Sequence, residues 1–219
     1  MMIASLVILG PLAAVIAIGI VRRAPASIAT VGTFVALVAA LITLVRVDSG
    51  DRWSTTLPGL PGLPFLLVVE PMTILLATAV ATVAAFVMLY AVGYMGEERE
   101  QARFFATLSF FVAAMQTLVL AGDWILFLMA WELIGLASYL LIGFWYERPG
   151  VRESATRAFA TTRAADFGLY VGAFILIDRA GGSAIADAVG LTGTAMTIAG
   201  LLLLLAVVGK SAQIPLQGW

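Results

Sequence analysis

The sequence has 219 residues, of which 62% are hydrophobic and only 11% are charged, and its 12 Lys and Arg residues nearly balance 13 Asp and Glu residues. A soluble domain carries roughly 25% charged residues, so this composition predicts a protein that lies mostly in lipid, and the near-neutral charge argues against a basic nucleic-acid-binding protein. Cys and His are absent, which excludes a disulfide framework, haem held by His and the usual zinc sites, so we expect no cofactor or metal in this chain.

Hydropathy predicts about seven membrane-spanning helices and therefore an all-α, polytopic transmembrane helical bundle. The first span has no basic residues ahead of it and is long enough to cross a bilayer, so it is interpreted as a retained helix and not as a cleaved signal. The predicted spans cover residues 3–21, 27–45, 71–94, 104–120, 123–146, 154–177 and from about 194 to at least 210.

A polar, Pro/Gly-rich segment, residues 47–65, separates the second span from the third. Its repeated Leu-Pro-Gly units cannot sustain a helix and predict an ordered surface loop. We therefore divide the chain into residues 1–69, with two helices and this loop, and residues 70–219, with the third to seventh helices.

Basic residues in the connections predict the orientation of the chain in the membrane. Seven lie in the connections after the first, third and fifth spans, and three lie on the opposite side. Because Lys and Arg are enriched in cytoplasmic loops, this asymmetry places the N-terminus outside the cytoplasm. The two sets are Arg22, Arg23, Arg99, Arg103, Arg148, Arg152 and Arg157 against Arg46, Arg52 and Arg179.

Residues 123–146 are 24 almost unbroken apolar positions with one central carboxylate, Glu132. A helix that rises ~1.5 Å per residue carries Glu132 roughly 13 Å into a hydrocarbon layer about 30 Å thick. A charge at the centre of a span costs about 2.5–3.5 kcal/mol on an insertion scale. We therefore expect Glu132 to face protein or water and to have a partner.

Three further ionisable residues, Arg163, Asp166 and Lys210, lie inside predicted spans. Arg163 and Asp166 are three residues apart on one helix face, which predicts a local structural pair. Glu132 and Lys210 are each the only central charge on their helix, so we expect them to pair between the fifth and seventh spans, and the Arg163/Asp166 pair is the other candidate partner of Glu132. The alternatives are a structural hydrogen bond for Glu132 and a Lys210 side chain that extends to the lipid headgroups.

This set of charges is typical of a proton relay, because a buried Lys that depends on a nearby carboxylate can bind and release a proton. Small or polar-tipped residues follow Glu132 on its helix face, at Gly135, Tyr139 and Gly143, and permit close helix approach. Pro215 follows Lys210 by five residues, which predicts a discontinuous seventh helix beside hydrated backbone. Since no polar tail follows the break, we expect the sequence to be the N-terminal part of a longer protein.

Two polar residues have structural interpretations. Gln116, in the middle of the fourth span, is expected to form a packing hydrogen bond. Asp123 is expected to cap the start of the fifth helix.

Three segments, DWILFLMAWELIGLASYLLIGFWY, RAFATTRAADFGLYVGAFIL and LLLLLAVVGKSAQIPLQGW, occur in this order. Together with YAVGYMGEEREQARFFATLSFFVAAM, they resemble the proton-pumping antiporter-like subunits of respiratory complex I, of the subunit L or chain 5 type. The resemblance covers about residues 70–219. It implies a larger helical fold with two inverted repeats, each containing a discontinuous helix, of which this chain holds only the first part.

The resemblance implies that Glu132 and Lys210 form an interacting pair in a proton path, supported by Asp166 and Arg163. It implies a subunit of a proton-pumping NADH-quinone oxidoreductase in the cell's inner (plasma) membrane, with no redox centre in this chain. NADH, FMN, iron–sulfur clusters and quinone would be held by partner subunits, and the partners would be other membrane subunits and the lipid bilayer. Similar motifs occur in multi-subunit cation/proton antiporters, membrane-bound hydrogenases and bicarbonate-uptake complexes, so these alternatives stay open, as does a truncated, non-transporting fragment.

Overall fold

The structure, a computed structural model, describes residues 2–60 and 63–219. Over these residues the chain forms seven α-helices, a two-stranded antiparallel sheet and one short 3-10 helix. The helices are α1 (Met2–Val21), α2 (Pro25–Arg46), α3 (Pro71–Tyr94), α4 (Gln101–Leu120), α5 (Trp124–Ile142), α6 (Val151–Ala180) and α7 (Thr194–Lys210). The strands are β1 (Trp53–Leu60) and β2 (Leu63–Val69), and the 3-10 helix, Ile185–Ala188, precedes α7.

Six helices, α1 to α6, are long and apolar enough to cross a membrane. The seventh, α7, is also apolar and has 17 residues, about 26 Å at ~1.5 Å per residue. Large apolar side chains point away from the bundle, such as Phe86 at 70% exposure and Ile20 at 77%. Helices that are apolar on their outer faces as well are typical of membrane spans. The predicted all-α transmembrane bundle is confirmed.

The first four helices pack through small and polar residues. A Cβ at Gly10 of α1 would lie only 2.7 Å from the Gly32 carbonyl oxygen of α2, so these two helices nearly touch backbone to backbone. Gln116 of α4 is fully buried and donates to the Ala77 carbonyl of α3 at 3.0 Å, which confirms the predicted packing hydrogen bond. The remaining helices extend from this group, since α4 packs on α5, α5 on α6 and α6 on α7.

The Pro/Gly-rich connection between α2 and α3 is a β-hairpin, so the prediction of a loop there is wrong. Its strands pair antiparallel, with Trp53 opposite Val69. The hairpin forms because Leu67 and Val69 bury their side chains in an apolar cluster with residues of α1 to α5. Proline is tolerated because both strands of a two-stranded sheet are edge strands. Residues 61 and 62 of the predicted loop lie outside the described residues.

The link between α4 and α5 joins the hairpin to the connection between α6 and α7. Gly122 donates its backbone N–H to the Leu66 carbonyl at 2.7 Å and accepts from the Ile185 N–H at 2.9 Å. The Asp123 carboxylate, in a residue only 2% exposed, accepts from the Leu126 N–H at 2.8 Å and from the Leu66 N–H at 2.6 Å. The predicted cap is confirmed, and the same side chain also holds the first turn of α5 against the hairpin.

Close packing of α7 on α6 sets the position of the end of α7. A Cβ at Gly168 of α6 would lie 2.6 Å from the Leu202 carbonyl oxygen of α7. Gly209 of α7 packs in the same way against Ala165 of α6. Small residues at such contacts let helix backbones approach closely in a membrane. Lys210, the residue after Gly209, is therefore held beside α6, and the helix ends there, five residues before the predicted break at Pro215.

Candidate functional site

The four ionisable side chains singled out in the sequence meet where α5, α6 and α7 pack together. Glu132 lies on α5, Arg163 and Asp166 lie on α6, and Lys210 is the last residue of α7. Contacts through the aromatic and glycine residues of α5 connect all four into one group. The four side chains lie in one group, and the pairs within it differ from those predicted.

Glu132 is paired with Arg163 and not with Lys210. Arg163 Nη1 forms an ion pair with Glu132 Oε2, and the Tyr170 hydroxyl donates a hydrogen bond to Glu132 Oε1. Arg163 Nη1 also donates to the Tyr170 oxygen at 2.9 Å, so the three side chains form a closed ring of contacts. Arg163 and Tyr170 are seven residues apart, about two turns along one face of α6, and therefore reach the same carboxylate. The predicted Glu132–Lys210 ion pair is wrong, because Arg163 of α6 provides the positive charge that pairs with Glu132.

The predicted local pair between Arg163 and Asp166 does not form over the described parts of the chain. Asp166, which is 2% exposed, instead accepts a hydrogen bond from Trp131 Nε1 of α5 at 2.6 Å. Asp166 thus already has a donor, whereas Glu132 would be an uncompensated intramembrane acid without Arg163. The guanidinium therefore turns across to α5 instead of pairing along its own helix.

The Lys210 ammonium lies over the ring of Trp131, with Nζ 4.7 Å from the ring centroid. Within residues 2–60 and 63–219, no carboxylate oxygen lies within the 4.0 Å of an ion pair with this ammonium. The side chain is turned inward onto α5, which contradicts the alternative that it extends to the lipid headgroups.

Because Gly135 of α5 has no side chain, there is space beside it for two cationic groups. A Cβ at this position would lie 3.7 Å from Lys210 Nζ and 3.8 Å from Arg163 Nη2. Both cations therefore approach the backbone of α5 at the same point. The glycine one turn after Glu132 admits side-chain heads from two neighbouring helices, which is a close approach of the kind predicted from the small-residue stripe.

The surroundings of Lys210 differ on its two sides. Toward the end of α5, a small cavity is lined by Lys210 together with Ser138, Tyr139 and Thr162. Its volume of about 20 Å³ for water centres is room for about one water molecule. Toward the start of α5, an apolar cluster that includes Leu128 fills the space between α5, α6 and α7. The site therefore adjoins a small cavity with three hydroxyl-bearing side chains in its lining on one side and an apolar cluster on the other.

Trp131 and Tyr170 are site residues that sequence analysis did not single out. Trp131 directly precedes Glu132, and Tyr170 lies four residues, or about one turn, after Asp166. A Trp or Tyr has a polar tip that seeks a partner when buried. Such a residue within one turn of an intramembrane charge is the signal that could have identified both.

Two family descriptions match the chain. The description "NADH:quinone oxidoreductase/Mrp antiporter, TM" matches residues 121–219, which contain every site residue described above, and "NADH-Ubiquinone oxidoreductase (complex I), chain 5 N-terminus" matches residues 60–105. The chain belongs to the family of complex I antiporter-like subunits. Membership in this family confirms the resemblance inferred from the motifs.

Named relatives of this antiporter-like subunit belong to respiratory and chloroplast enzymes. NADH-quinone oxidoreductase subunit L of Mycobacterium tuberculosis (strain ATCC 25618 / H37Rv) is 38% identical over 165 residues, which are 74% of this chain and 26% of that protein. NAD(P)H-quinone oxidoreductase subunit 5, chloroplastic, of Ceratophyllum demersum is 36% identical over 177 residues, 76% of this chain and 24% of that protein. The antiporter-like chain thus spans about a quarter of the length of these relatives.

Two solved structures share the fold of this antiporter-like subunit. The structure of the Mrp complex from Dietzia sp. DQ12-45-1b matches with a TM-score of 0.87 at 22% identity and covers 100% of this chain and 25% of the matched chain. The structure of the membrane-bound sulfane sulfur reductase, an archaeal respiratory membrane complex, matches with a TM-score of 0.85 at 14% identity and covers 100% of this chain and 47% of the matched chain. Both are multi-subunit membrane complexes by their titles, so the antiporter-like fold is one used within larger membrane assemblies.

Proposed function

We propose that this chain contributes part of the proton path of a NADH-quinone oxidoreductase, with Lys210 as the group that binds and releases the proton. The observation that supports this most directly is that Lys210 is held inside the bundle next to charged groups but forms no ion pair within the described residues. An ammonium without a bound carboxylate can lose its proton without breaking a salt bridge. The adjoining cavity has room for about one water molecule to take that proton.

Glu132 and Arg163 act as the element that sets the electric field at Lys210. Arg163 remains charged, because a guanidinium does not lose its proton in proteins. Among the described residues its contact with Glu132 leaves the Asp166 carboxylate without an ion-paired cation, and that carboxylate, bound to the same indole as Lys210, attracts the ammonium. If Arg163 turned from Glu132 to Asp166, three residues away on α6, this attraction would weaken and Lys210 would release its proton. A change at Glu132 would in this way be transmitted to Lys210.

The electron-transfer groups are proposed to lie in other subunits. The relatives are named as subunits of NADH-quinone and NAD(P)H-quinone oxidoreductases. This sequence has no Cys or His with which to hold iron–sulfur clusters or haem. NADH, FMN, iron–sulfur clusters and quinone are therefore assigned to partner subunits, and this chain is assigned to the membrane part of the enzyme.

The proposed orientation places the N-terminus outside the cytoplasm of a bacterial plasma membrane. Two of the arginines counted as cytoplasmic lie at one end of the bundle, because Arg103 of α4 donates to the Phe144 carbonyl at 2.9 Å and Arg152 donates to the Tyr146 carbonyl at 2.9 Å. The cavity beside Lys210 lies near this same end, because its lining includes Ile142 at the end of α5 and Ala158 about two turns into α6. In this orientation Lys210 exchanges its proton with the cytoplasmic side.

The test measures proton pumping by membrane vesicles that contain the assembled complex. Lys210→Ala and Glu132→Ala should each lower NADH-driven proton uptake at least roughly tenfold, equivalent to about 1.4 kcal/mol. Arg179→Ala, at the end of α6 where the side chain is 61% exposed, is the matched control and should pump normally. Wild-type pumping by both Lys210→Ala and Glu132→Ala would refute the assignment and leave a scaffold as the function of this chain.

A cation/proton antiporter subunit is the second candidate. It is favoured by the family description, which joins NADH:quinone oxidoreductase with Mrp antiporters over residues 121–219. Vesicles assayed without NADH separate the two candidates. Sodium-dependent proton exchange that is lost in Lys210→Ala would favour the antiporter, and proton uptake only during NADH oxidation would favour the oxidoreductase.

A further inference from the structure

Trp131 contacts two charged groups from two different helices. Its indole Nε1–H donates to Asp166 Oδ1 of α6 at 2.6 Å, and the face of its ring lies 4.7 Å from Lys210 Nζ of α7. An N–H bond lies in the plane of the indole, whereas a cation binds above the plane. One side chain therefore holds a carboxylate at its edge and an ammonium on its face.

This arrangement keeps Lys210 and Asp166 close without letting them join. Asp166 and Lys210 contact the same indole, yet among the described residues the Asp166 oxygens stay beyond the 4.0 Å of an ion pair with the ammonium. The neutral indole N–H of Trp131 donates a hydrogen bond to Asp166 Oδ1. The carboxylate thus attracts the ammonium without forming an ion pair with it.

The Trp131 ring is itself fixed by neighbouring aromatic residues of α5. Phe127 stacks on Trp131 with centroids 6.0 Å apart and planes at 26°, and Trp124 meets Phe127 edge-on at 5.8 Å. These three residues form an aromatic column along one face of α5. The column belongs to the apolar cluster that seals one side of the site, so the ring has a defined position.

We propose that Trp131 is a positioning residue that makes the location of the Lys210 side chain depend on its protonation state. This inference rests on the proposed function of Lys210 as the proton-exchanging group. The indole face attracts an ammonium through the charge distribution of the ring but has no such attraction for a neutral amine. Protonated Lys210 is held on Trp131; when its proton passes to water in the adjoining cavity, the neutral amine is released from the ring. Rebinding a proton from that water returns the ammonium to the ring.

Lys210 is the only Lys in the sequence, which gives the proposal a direct test. Lysine labelled with ¹³C at Cε produces a single labelled side chain in the chain reconstituted in lipid nanodiscs. We expect the Cε protons to be shifted upfield by the ring current of Trp131 at pH values where Lys210 is protonated, and to lose that shift when the pH is raised through the titration of Lys210.

Three variants separate the two contacts of Trp131. Trp131→Leu removes both and should abolish the upfield shift at every pH. Trp131→Phe keeps an aromatic face but removes the N–H, so it should keep part of the shift. Trp53→Phe, on β1 and packed in a different apolar cluster, is the control and should titrate like the wild type.

Proton uptake by the assembled complex completes the test. Trp131→Leu should change the pH profile of uptake and lower its maximum by roughly tenfold, with Trp131→Phe between it and the wild type. An upfield shift that persists unchanged in Trp131→Leu, or one that does not change as Lys210 titrates, would overturn the role of Trp131. If instead the shift behaves as expected while Lys210→Ala pumps normally, the proposed function fails and the contact is structural.

Discussion

The guanidinium of Arg163 occupies the place beside Glu132 that charge counting along the sequence assigned to Lys210. This single contact changes how the site works. The acid of α5 is paired with a group that cannot deprotonate, and among the described residues the lysine of α7 has no ion pair, so in the proposed function it is the group that exchanges a proton.

Breaking the Glu132–Arg163 pair on one side should destabilise the protein. Arg163→Gln leaves Glu132 as an uncompensated acid in the membrane. Because the Arg163 and Glu132 side chains are 33% and 29% exposed, we expect a loss of about 1–3 kcal/mol in the free energy of unfolding, less than for a fully buried pair. Denaturant titration in detergent micelles measures it.

The neutral double variant Glu132→Gln with Arg163→Gln is the control for this prediction. It removes both charges, so no uncompensated acid remains, and it should recover most of the lost stability. A double variant as unstable as Arg163→Gln alone would show that the pair does not stabilise the bundle.

Tyr170→Phe should remove one of the contacts that position the Glu132 carboxylate, and it leaves no charge unpaired. The variant removes the hydroxyl that donates to Glu132 and accepts from Arg163. We expect a loss of about 1 kcal/mol in stability, the usual net value of one hydrogen bond, and a smaller loss of proton uptake than in Glu132→Ala. Tyr139→Phe, which leaves this ring of contacts intact, is the comparison, and equal effects of the two would contradict the assigned role.

Gly168→Ala should displace the end of α7 and with it Lys210. The added methyl would lie 2.6 Å from the Leu202 carbonyl oxygen, so the two helices must separate. We expect a cost of about 1–3 kcal/mol in stability together with reduced proton uptake. Gly200→Ala is the matched control on α7, because nothing lies within 4 Å of its Cβ position, and it should be neutral or stabilising by up to about 1 kcal/mol.

Asp123→Ala should loosen the start of α5 and the hairpin together. The carboxylate caps α5 at Leu126 and also binds the Leu66 N–H of the hairpin. Loss of the cap alone costs about 0.5–2 kcal/mol. Hydrogen exchange should show faster exchange of the Leu66 and Leu126 amides, whereas Asp178→Ala, whose side chain is 81% exposed, should leave both unchanged.

Low pH should weaken the hydrogen bond between Glu98 and Trp145, which lies outside the membrane spans. The indole N–H of Trp145 donates to Glu98 Oε2 at 2.8 Å, and this hydrogen bond is the main reason that the pKa of Glu98 is lowered from its ordinary value. A carboxyl group whose pKa is lowered by folding stabilises the folded state at higher pH, and this contribution is lost as the pH falls through the lowered pKa. The Trp145 indole N–H resonance should therefore move when the pH falls below about 4.5. Glu98→Gln should abolish that movement, and Glu97→Gln should preserve it.

The spans, the cap at Asp123 and the presence of four ionisable residues inside spans could be predicted from the sequence because each depends on local chemistry. A stretch of about 20 apolar residues has few alternatives to a membrane helix, since every backbone polar group must be satisfied within it. An ionisable residue inside such a stretch is conspicuous for the same reason. The hairpin was missed because its strands are stabilised by burial of Leu67 and Val69 against distant helices, which no Pro/Gly pattern reveals.

By itself the sequence determined which elements cross the membrane and which side chains are charged within it. Only the tertiary structure decided which charges meet. Arg163 and Asp166 share a helix face, yet one turns to Glu132 and the other to Trp131, because α5 presents an acid and an indole donor at neighbouring positions. Spacing along one helix limits which groups can approach each other, but the partner chosen depends on what the neighbouring helix offers in a medium where an unpaired charge is costly.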